Sequence, residues 1–175
     1  MALLRTLAAA ALCAALVAPA AAGAAEPKAP RHKETARKAA PKPAPPAAAA
    51  AVALRYWGAT PCAGRIKVIA RQPLAAGLDA SSSAWVTFGS PLGANYLAAP
   101  AESYTDCTIA FARWRWPTAA SMRQDWAMFC TTMVHEWGHL LGRQHDTTPG
   151  SVMVPVFTDY SSVPPLCSAS APRRR

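Results

Sequence analysis

The residues best suited to chemistry lie between positions 135 and 145, in the sequence HEWGHLLGRQH. His135 and His139 are four residues apart, so on a helix both imidazoles lie on one face, one above the other. Two imidazoles in that arrangement can reach one metal ion at about 2.0–2.1 Å, the usual Zn–N bond length. The spacing therefore predicts a helix that carries two metal ligands.

The next residues predict a third ligand. Gly142 comes where this helix should end, because glycine adopts the left-handed conformation at that position without steric cost. The reversed chain can then carry His145 back to the same ion. Three neutral nitrogens leave the fourth tetrahedral position for water, which is typical of a catalytic zinc site. Glu136, beside the first ligand, is placed to take a proton from that water as general base.

The net charge of +9 does not describe a binding surface of the folded part. Most of the excess cations lie in residues 25–51 and at Arg173–Arg175, whereas residues 52–172 hold eight Lys or Arg against seven Asp or Glu. Nucleic-acid binding needs clustered cations, so it is disfavoured for this protein. The basic segment either makes a weak contact with anionic polymers of a cell envelope or only stays solvated.

The N-terminal residues are typical of an export signal. Residues 1–24 carry Arg5, then an uncharged apolar run, then a small-residue cleavage site ending at Ala24. The alternative is an uncleaved membrane anchor, because the chain from Thr6 to Ala25 carries no charge. We expect cleavage and a secreted or extracytoplasmic protein in the cell envelope.

Composition also predicts the remaining organisation. Residues 25–51 are almost all Ala, Pro, Lys and Arg, which predicts a disordered linker that buries no core. The folded catalytic domain is predicted at residues 52–170, and a basic tail at residues 171–175. A domain of this size has room for one core, and we expect a monomer.

The cysteines predict disulfide bonds. Cys13 lies in the leader, which leaves Cys62, Cys107, Cys130 and Cys167. An even number in a small exported domain indicates two disulfides, and the absence of a CxxC pair disfavours a cysteine zinc site. Spacing alone leaves every connectivity open. We expect Cys107 to pair with Cys130, and Cys62 with Cys167.

Hydrophobic periodicity predicts an α+β fold. Strands are predicted at residues 65–70, 84–88 and 108–113, with a weak strand at 95–98 and the start of a first strand at 54–57. One or two helical turns are predicted at residues 73–79, and one long helix from about Met122 to Leu141.

One stretch has two interpretations. Arg113, Trp114, Arg115 and Trp116 alternate charge and ring. This pattern suits an anion or carbohydrate contact, but we favour a half-buried strand with its aromatic side chains inward.

The segment from His135 to His145, followed by Ser151–Pro155 (SVMVP), resembles the metzincin clan of zinc endopeptidases and, within it, the matrixins. These share the HExGHxxGxxH form and a turn around a methionine. The resemblance implies a zincin-like fold, in which a small mixed twisted sheet packs on the active-site helix. It also implies a short C-terminal subdomain after this Met-turn.

The resemblance implies roles for five residues. His135, His139 and His145 would ligate one Zn²⁺ ion, Glu136 would be the general base, and Met153 would form a floor under the metal without ligating it. The substrate would lie in a cleft along an edge strand, and residues 154–160 would form a wall of the pocket for the side chain after the scissile bond.

The sequence departs from the matrixin pattern in several places. Asp146 after the third histidine is more like the adamalysin branch. The chain before the helix is short, so the usual long backing helix is predicted to be reduced or missing. No acidic clusters for structural calcium stand out, and position 155 holds Pro155 instead of a possible tyrosine ligand.

We therefore expect an exported zinc-dependent endopeptidase that hydrolyses polypeptides through a zinc-bound water activated by Glu136. Two rival hypotheses stay open. One is a zinc-containing binding module of the cell envelope, and the other is a zinc amidase that acts on cell-wall peptides. Glu136 argues against the binding module, because a purely structural zinc site needs no carboxylate there.

Overall fold

The computed structural model describes residues 43–169. The predicted signal peptide, most of the linker and the basic tail lie outside these residues. Within 43–169, no helix is long and apolar enough to cross a membrane. The helices are α1 (Pro45–Trp57), α2 (Ala119–Gln124), α3 (Trp126–Leu140) and α4 (Pro165–Ser168), and the strands are β1 (Lys67–Gln72), β2 (Ala84–Gly89) and β3 (Thr105–Ala112).

The three strands form one mixed sheet with β3 in the centre. β1 pairs with β3 in parallel and β2 pairs with β3 antiparallel, so the strand order is β1-β3-β2. Residues 109–112 of β3 are buried in succession, as expected for a central strand that is covered on both faces. The strands predicted near residues 65–70, 84–88 and 108–113 are confirmed, and so is the small mixed sheet.

The weaker secondary-structure predictions are wrong. Gly93–Ala98 is a 3-10 helix instead of a strand, and it begins at a glycine with φ of 54°. Its backbone bonds span three residues, as from Asn95 N–H to Leu92 O (3.0 Å). Residues 73–79 contain a turn but no helix, because Gly77 adopts a φ of 86°, outside the helical region.

Helix α3, which carries His135 and His139, is the centre of the domain. Twelve of its 15 residues are buried, because the sheet, α1 and α4 cover it on different sides. The single helix predicted from Met122 is two helices, separated at Asp125. The carboxylate of Asp125 accepts hydrogen bonds from Arg115 Nη2 (2.8 Å) and Trp116 Nε1 (3.1 Å). These contacts hold Asp125 outside the helical conformation, at φ −102° and ψ 40°.

Helix α1 corrects the predicted linker. It begins at Pro45, so residues 45–51 belong to the folded domain, and residues 54–57 are helical instead of extended. Composition is misleading here because the prolines lie in the first helical turn, where proline is tolerated, and alanine has the highest helix propensity. Gly58, in the left-handed conformation, ends the helix with a bond from its N–H to Leu54 O (2.9 Å).

Helix α1 packs directly on α3. Ala49 and Ala53 are fully buried, and their small side chains allow the two helix backbones to approach. At the end of α1, Trp57 Nε1 donates a hydrogen bond to Val134 O of α3 (2.8 Å). A backing helix was predicted to be reduced or missing. A helix does back α3, and it comes from the alanine-rich segment before the sheet.

Both disulfide pairings differ from the prediction. Cys62 pairs with Cys107 across a Cα–Cα distance of 6.3 Å, and Cys130 pairs with Cys167 across 5.5 Å. Cys62 lies in a short 3-10 turn (Cys62–Gly64) that contacts β3, whereas Cys130 lies on α3, which contacts α4. The predicted pairings of Cys107 with Cys130 and of Cys62 with Cys167 are wrong, because β3 meets the turn that carries Cys62 and α3 meets α4, which carries Cys167.

The packing of α1 can be tested with two substitutions of the same kind. Ala49→Arg places a cation in the fully buried contact with α3, and we expect it to lower the free energy of unfolding by about 3 kcal/mol or more. Ala51→Arg is the matched control, because Ala51 is exposed on the same helix. Thermal unfolding should show a large loss for Ala49→Arg and little change for Ala51→Arg. Equal effects would mean that α1 does not pack on α3.

The disulfides can be mapped without any substitution. Proteolytic digestion of the unreduced protein should release one linked peptide pair that contains Cys62 and Cys107, and another that contains Cys130 and Cys167. Mass spectrometry before and after reduction identifies each pair. A fragment that joins Cys107 to Cys130 would contradict this arrangement.

Candidate active site

Helix α3 and the loop after it bring three histidines together. His135 and His139 lie one turn apart on α3, as predicted. The helix ends at Leu140, next to the predicted end at Leu141. Gly142 adopts a φ of 78°, and Arg143 N–H bonds back to Gly138 O (2.9 Å). This reversal returns His145 to the other two rings. One nitrogen from each histidine lies within 4.8 Å of the others, which allows a single metal ion between them.

Backbone carbonyls orient two of the rings. His135 Nδ1 lies 2.8 Å from Val152 O, and His139 Nδ1 lies 2.8 Å from Arg143 O. A carbonyl only accepts, so we assign the proton of each neutral ring to Nδ1 and a lone pair to Nε2. The two Nε2 atoms are 3.0 Å apart. Tetrahedral ligands at normal Zn–N lengths lie about 3.3 Å apart, so this donor set fits zinc.

Burial keeps two of these histidines neutral. It lowers the pKa of His135 to about 4, against the opposing contact with Val152 O, and the neighbouring His139 and His145 lower it further. Burial also lowers the pKa of His139, although its contact with Arg143 O acts in the opposite direction. A metal ion binds the neutral form of imidazole, so the environment of the rings favours the binding-competent state at neutral pH.

Glu136 is a buried carboxyl group beside the histidines. Glu136 is only 6% exposed, yet it lines the same cleft as the three histidine rings. Burial raises the pKa of Glu136 to about 8, because the low-polarity surroundings disfavour the charged form. A carboxylate with such a proton affinity is a strong base, and a cation next to it would lower the pKa again.

The histidines open on a cleft of about 750 Å³. One wall is the edge strand β2, with Ala84, Trp85 and Val86. A second wall is formed by Pro155–Phe157, the segment after Met153. Met128 and Thr132 of α3 line it between the walls, and the turn after β3 contributes Trp114, Arg115 and Trp116. A cleft of this size accommodates several residues of an extended peptide.

Comparison with known families gives one match. The family model described as matrixin matches residues 88–165, from the end of β2 to the start of α4. The match indicates a matrixin-like zinc metallopeptidase. A search of curated proteins and a search of solved structures found no match. The resemblance noted from the HExGHxxGxxH pattern and the Met-turn is thereby confirmed, and so are the zincin-like α+β fold and the use of zinc.

The turn around Met153 lies directly against helix α3. A Cβ atom on Gly138 would lie 2.5 Å from Met153 Sδ and 2.8 Å from Trp57 Cζ2. Both distances are too short for non-bonded atoms, so Met153 and Trp57 occupy space that only a glycine leaves free. Gly138 is therefore a packing requirement of the site.

Asp146 stabilises the loop between the third histidine and Met153. Its N–H donates to Met153 O (2.9 Å), and its carboxylate accepts hydrogen bonds from Thr148 N (2.9 Å) and Thr148 Oγ1 (2.6 Å). Ser151 Oγ accepts from Met153 N (3.1 Å). The residue that departs from the matrixin pattern thus stabilises the turn around Met153.

Sequence reasoning named the residues that converge here but missed their neighbours. His135, His139, His145 and Glu136 lie together at one cleft, and their individual roles stay predictions. The expected inward strand at 113–116 is wrong, because these residues form a turn in which Trp116 is buried and Trp114 is exposed in the cleft. An alternation of charged and aromatic residues does not distinguish such a turn from a strand.

The contact at Gly138 can be tested by adding one methyl group. We expect Gly138→Ala to lower the melting temperature and to weaken zinc binding at least about tenfold, because Met153 or Trp57 must move. Calorimetry and zinc titration with a competing chelator measure the two effects.

A second substitution separates crowding from other causes. Met153→Ala in the Gly138→Ala background removes one of the two clashing side chains, so part of the lost zinc affinity should return. If the two substitutions add without any recovery, the contact between Gly138 and Met153 does not control the site.

Proposed function

We propose that the protein is an exported zinc-dependent endopeptidase in which His135, His139 and His145 hold one zinc ion and Glu136 is the general base. The observation that carries this proposal is the convergence of three imidazoles beside a buried carboxyl group at an open cleft. Three nitrogen ligands leave a coordination position free for the reaction, as in catalytic zinc sites.

The three histidines would bind the zinc ion, and backbone carbonyls orient two of their rings. Val152 O and Arg143 O each hold an Nδ1–H, so the Nε2 lone pairs of His135 and His139 are directed to the same point. When bound, zinc supplies a Lewis acid that makes water more acidic and polarises a peptide carbonyl. The burial that lowers the pKa of His135 to about 4 keeps that ring available as a ligand in mildly acidic solution.

Glu136 moves the proton. Its carboxylate accepts a proton from the attacking water as the water oxygen bonds to the peptide carbon. The same carboxyl group then donates the proton to the nitrogen of the departing amine, when the C–N bond breaks. The products are one carboxylic acid and one amine, and Glu136 returns to its starting state. The acid passes its remaining proton to the amine, so that the products leave as carboxylate and ammonium. Its buried position suits this exchange, because burial raises its proton affinity.

The edge strand β2 supplies a surface for a polypeptide. Ala112 N–H donates to Ser83 O (2.8 Å), and Ala84 pairs with Phe111 in the same register. Bonded and non-bonded pairs alternate in an antiparallel ladder, so the N–H and C=O groups of Ala84 and Val86 point away from β3. Both residues line the cleft, where an extended peptide can pair with these groups.

We also propose that the enzyme works outside the cytoplasm, as a monomer. The predicted signal peptide at residues 1–24 supports export. The bonds between Cys62 and Cys107 and between Cys130 and Cys167 support an oxidising compartment, where disulfides persist. The cations in residues 25–51 of the sequence support a weak contact with anionic envelope polymers.

The proposed role of Glu136 predicts a specific kinetic loss. Glu136→Gln should lower kcat/KM for peptide hydrolysis by about 10²–10⁴-fold, because the amide cannot accept the proton. The protein should still bind one equivalent of zinc, since the histidines are unchanged. Glu102→Gln is the matched control, because Glu102 is an exposed glutamate that does not line the cleft. It should leave hydrolysis unchanged.

Metal removal and a choice of substrates complete this test. Dialysis against a chelator should abolish hydrolysis, and zinc should restore it, with circular dichroism to check the fold. Unfolded protein, a peptide library and cell-wall material should be offered in parallel. Cleavage of cell-wall peptides alone would favour the amidase hypothesis. No turnover of any substrate by the folded, zinc-loaded protein would overturn the proposal and favour a binding module.

A further inference from the structure

Trp114 is an exposed aromatic residue in the cleft. Trp114 is 54% exposed, although a tryptophan side chain normally buries much of its large surface. It lies in the turn after β3, and Trp116, two residues later in the same turn, is 1% exposed and packs against Phe111 and Phe129. One tryptophan of the pair therefore belongs to the core, and the other faces the cleft beside the edge strand β2.

The exposed ring is held in place. Trp114 Nε1 donates a hydrogen bond to Ser82 O (3.1 Å), which joins the turn to the residues before β2. The rest of the turn is fixed by Asp125, which accepts from Arg115 (2.8 Å) and from Trp116 Nε1 (3.1 Å). An aromatic ring that is rigid before binding loses little conformational entropy when a ligand contacts it.

The position of Trp114 relates it to a bound peptide. Ala84 and Val86 offer free backbone groups, whereas the carbonyl of Ser82, two residues earlier, already accepts the indole N–H. A peptide paired with β2 that extends past Ala84 therefore meets the indole ring in place of another backbone acceptor. The charged groups that line this end of the cleft have partners, Arg115 with Asp125 and the Asp79 carboxylate with Ser81 N–H (2.7 Å). This favours an aromatic side chain over a charged one.

We propose that Trp114 is a specificity-determining residue, and that its ring contacts an aromatic side chain of the polypeptide, beyond the last residue that pairs with Ala84. The inference rests on the proposed peptidase function and names a substrate class for it. The ring contributes binding at a distance from the zinc site and takes no part in bond cleavage. Aromatic pairs of this kind are worth about a threefold to tenfold change in affinity beyond the area that they bury.

The test compares the zinc-loaded full chain with three variants. Substrates are fluorogenic peptides with one common central sequence, either short or extended on one side or the other by a residue that is Phe or Ala. Trp114→Ala should raise KM about threefold to tenfold for the Phe-extended peptide on one side only. Values of kcat and the hydrolysis of the short peptide should stay unchanged. Leu97→Ala is the control, because Leu97 has a similar exposure, 53%, and does not line the cleft.

Trp114→Phe separates ring contact from the bond to Ser82. Phenylalanine keeps an aromatic face but cannot donate to Ser82 O, so the variant should retain most of the preference for Phe. The native residue, Trp114→Phe and Trp114→Ala should rank in the same order when binding is measured without turnover. For this, each is combined with Glu136→Gln, and fluorescence anisotropy measures the affinity for labelled peptides. A loss in Trp114→Phe equal to that in Trp114→Ala would overturn the contact and leave Trp114 as a residue that positions the loop. An equal loss on all peptides would overturn it as well.

Failure of this inference is distinguishable from failure of the proposed function. If the native protein cleaves no peptide, the peptidase proposal itself fails. If it cleaves peptides but shows no preference for Phe over Ala on either side, only the role of Trp114 fails.

Discussion

Three distant segments meet at Gly138, and the rest of the site depends on that contact. Met153 arrives from the turn after the third histidine and Trp57 from the end of α1, and both occupy the space that a Cβ on Gly138 would fill. Trp57 also bonds to Val134 O, and Val152 O, next to Met153, holds the ring of His135. A shift in this packing would therefore reach His135, a proposed metal ligand, through a single hydrogen bond. Interiors packed at this density transmit such shifts because they contain little free volume.

The electrostatics of the site follow from the burial that this packing creates. Burial lowers the pKa of His135 and His139 and raises that of Glu136, so each of these groups is driven towards its neutral form. Neutral imidazole is the form that ligates a metal. A bound cation would act on Glu136 in the opposite direction and favour its carboxylate. The same buried environment thus prepares the proposed ligands directly and the proposed base only once a metal ion is in place, which would link metal binding to activity.

Local patterns predicted the strands, the metal-binding helix and the reversal at Gly142, because each of these depends on residues close together in the sequence. The failures involve distant partners. Residues 45–51 look like a linker in isolation and become a helix because α3 offers a surface to the small side chains of α1. The disulfide pairing could not be deduced from local patterns, since each bond joins segments that are far apart in the sequence. Trp114 and Trp116 have the same local pattern, and only tertiary packing on Phe129 separates the buried ring from the exposed one.

The two walls of the cleft are anchored by different means, which has consequences for substrate recognition. The wall after Met153 is fixed at one end by Met153 on Gly138 and at the other by the bond from Cys167 to Cys130 of α3. Between these points, Val156 is 69% exposed. The edge strand, in contrast, is paired with β3 over its length and is joined at its start to Trp114. Because a paired strand deforms less than a loop held at its ends, the edge strand and Trp114 can set the register of a bound peptide. The second wall can then adapt to the side chains that the peptide presents.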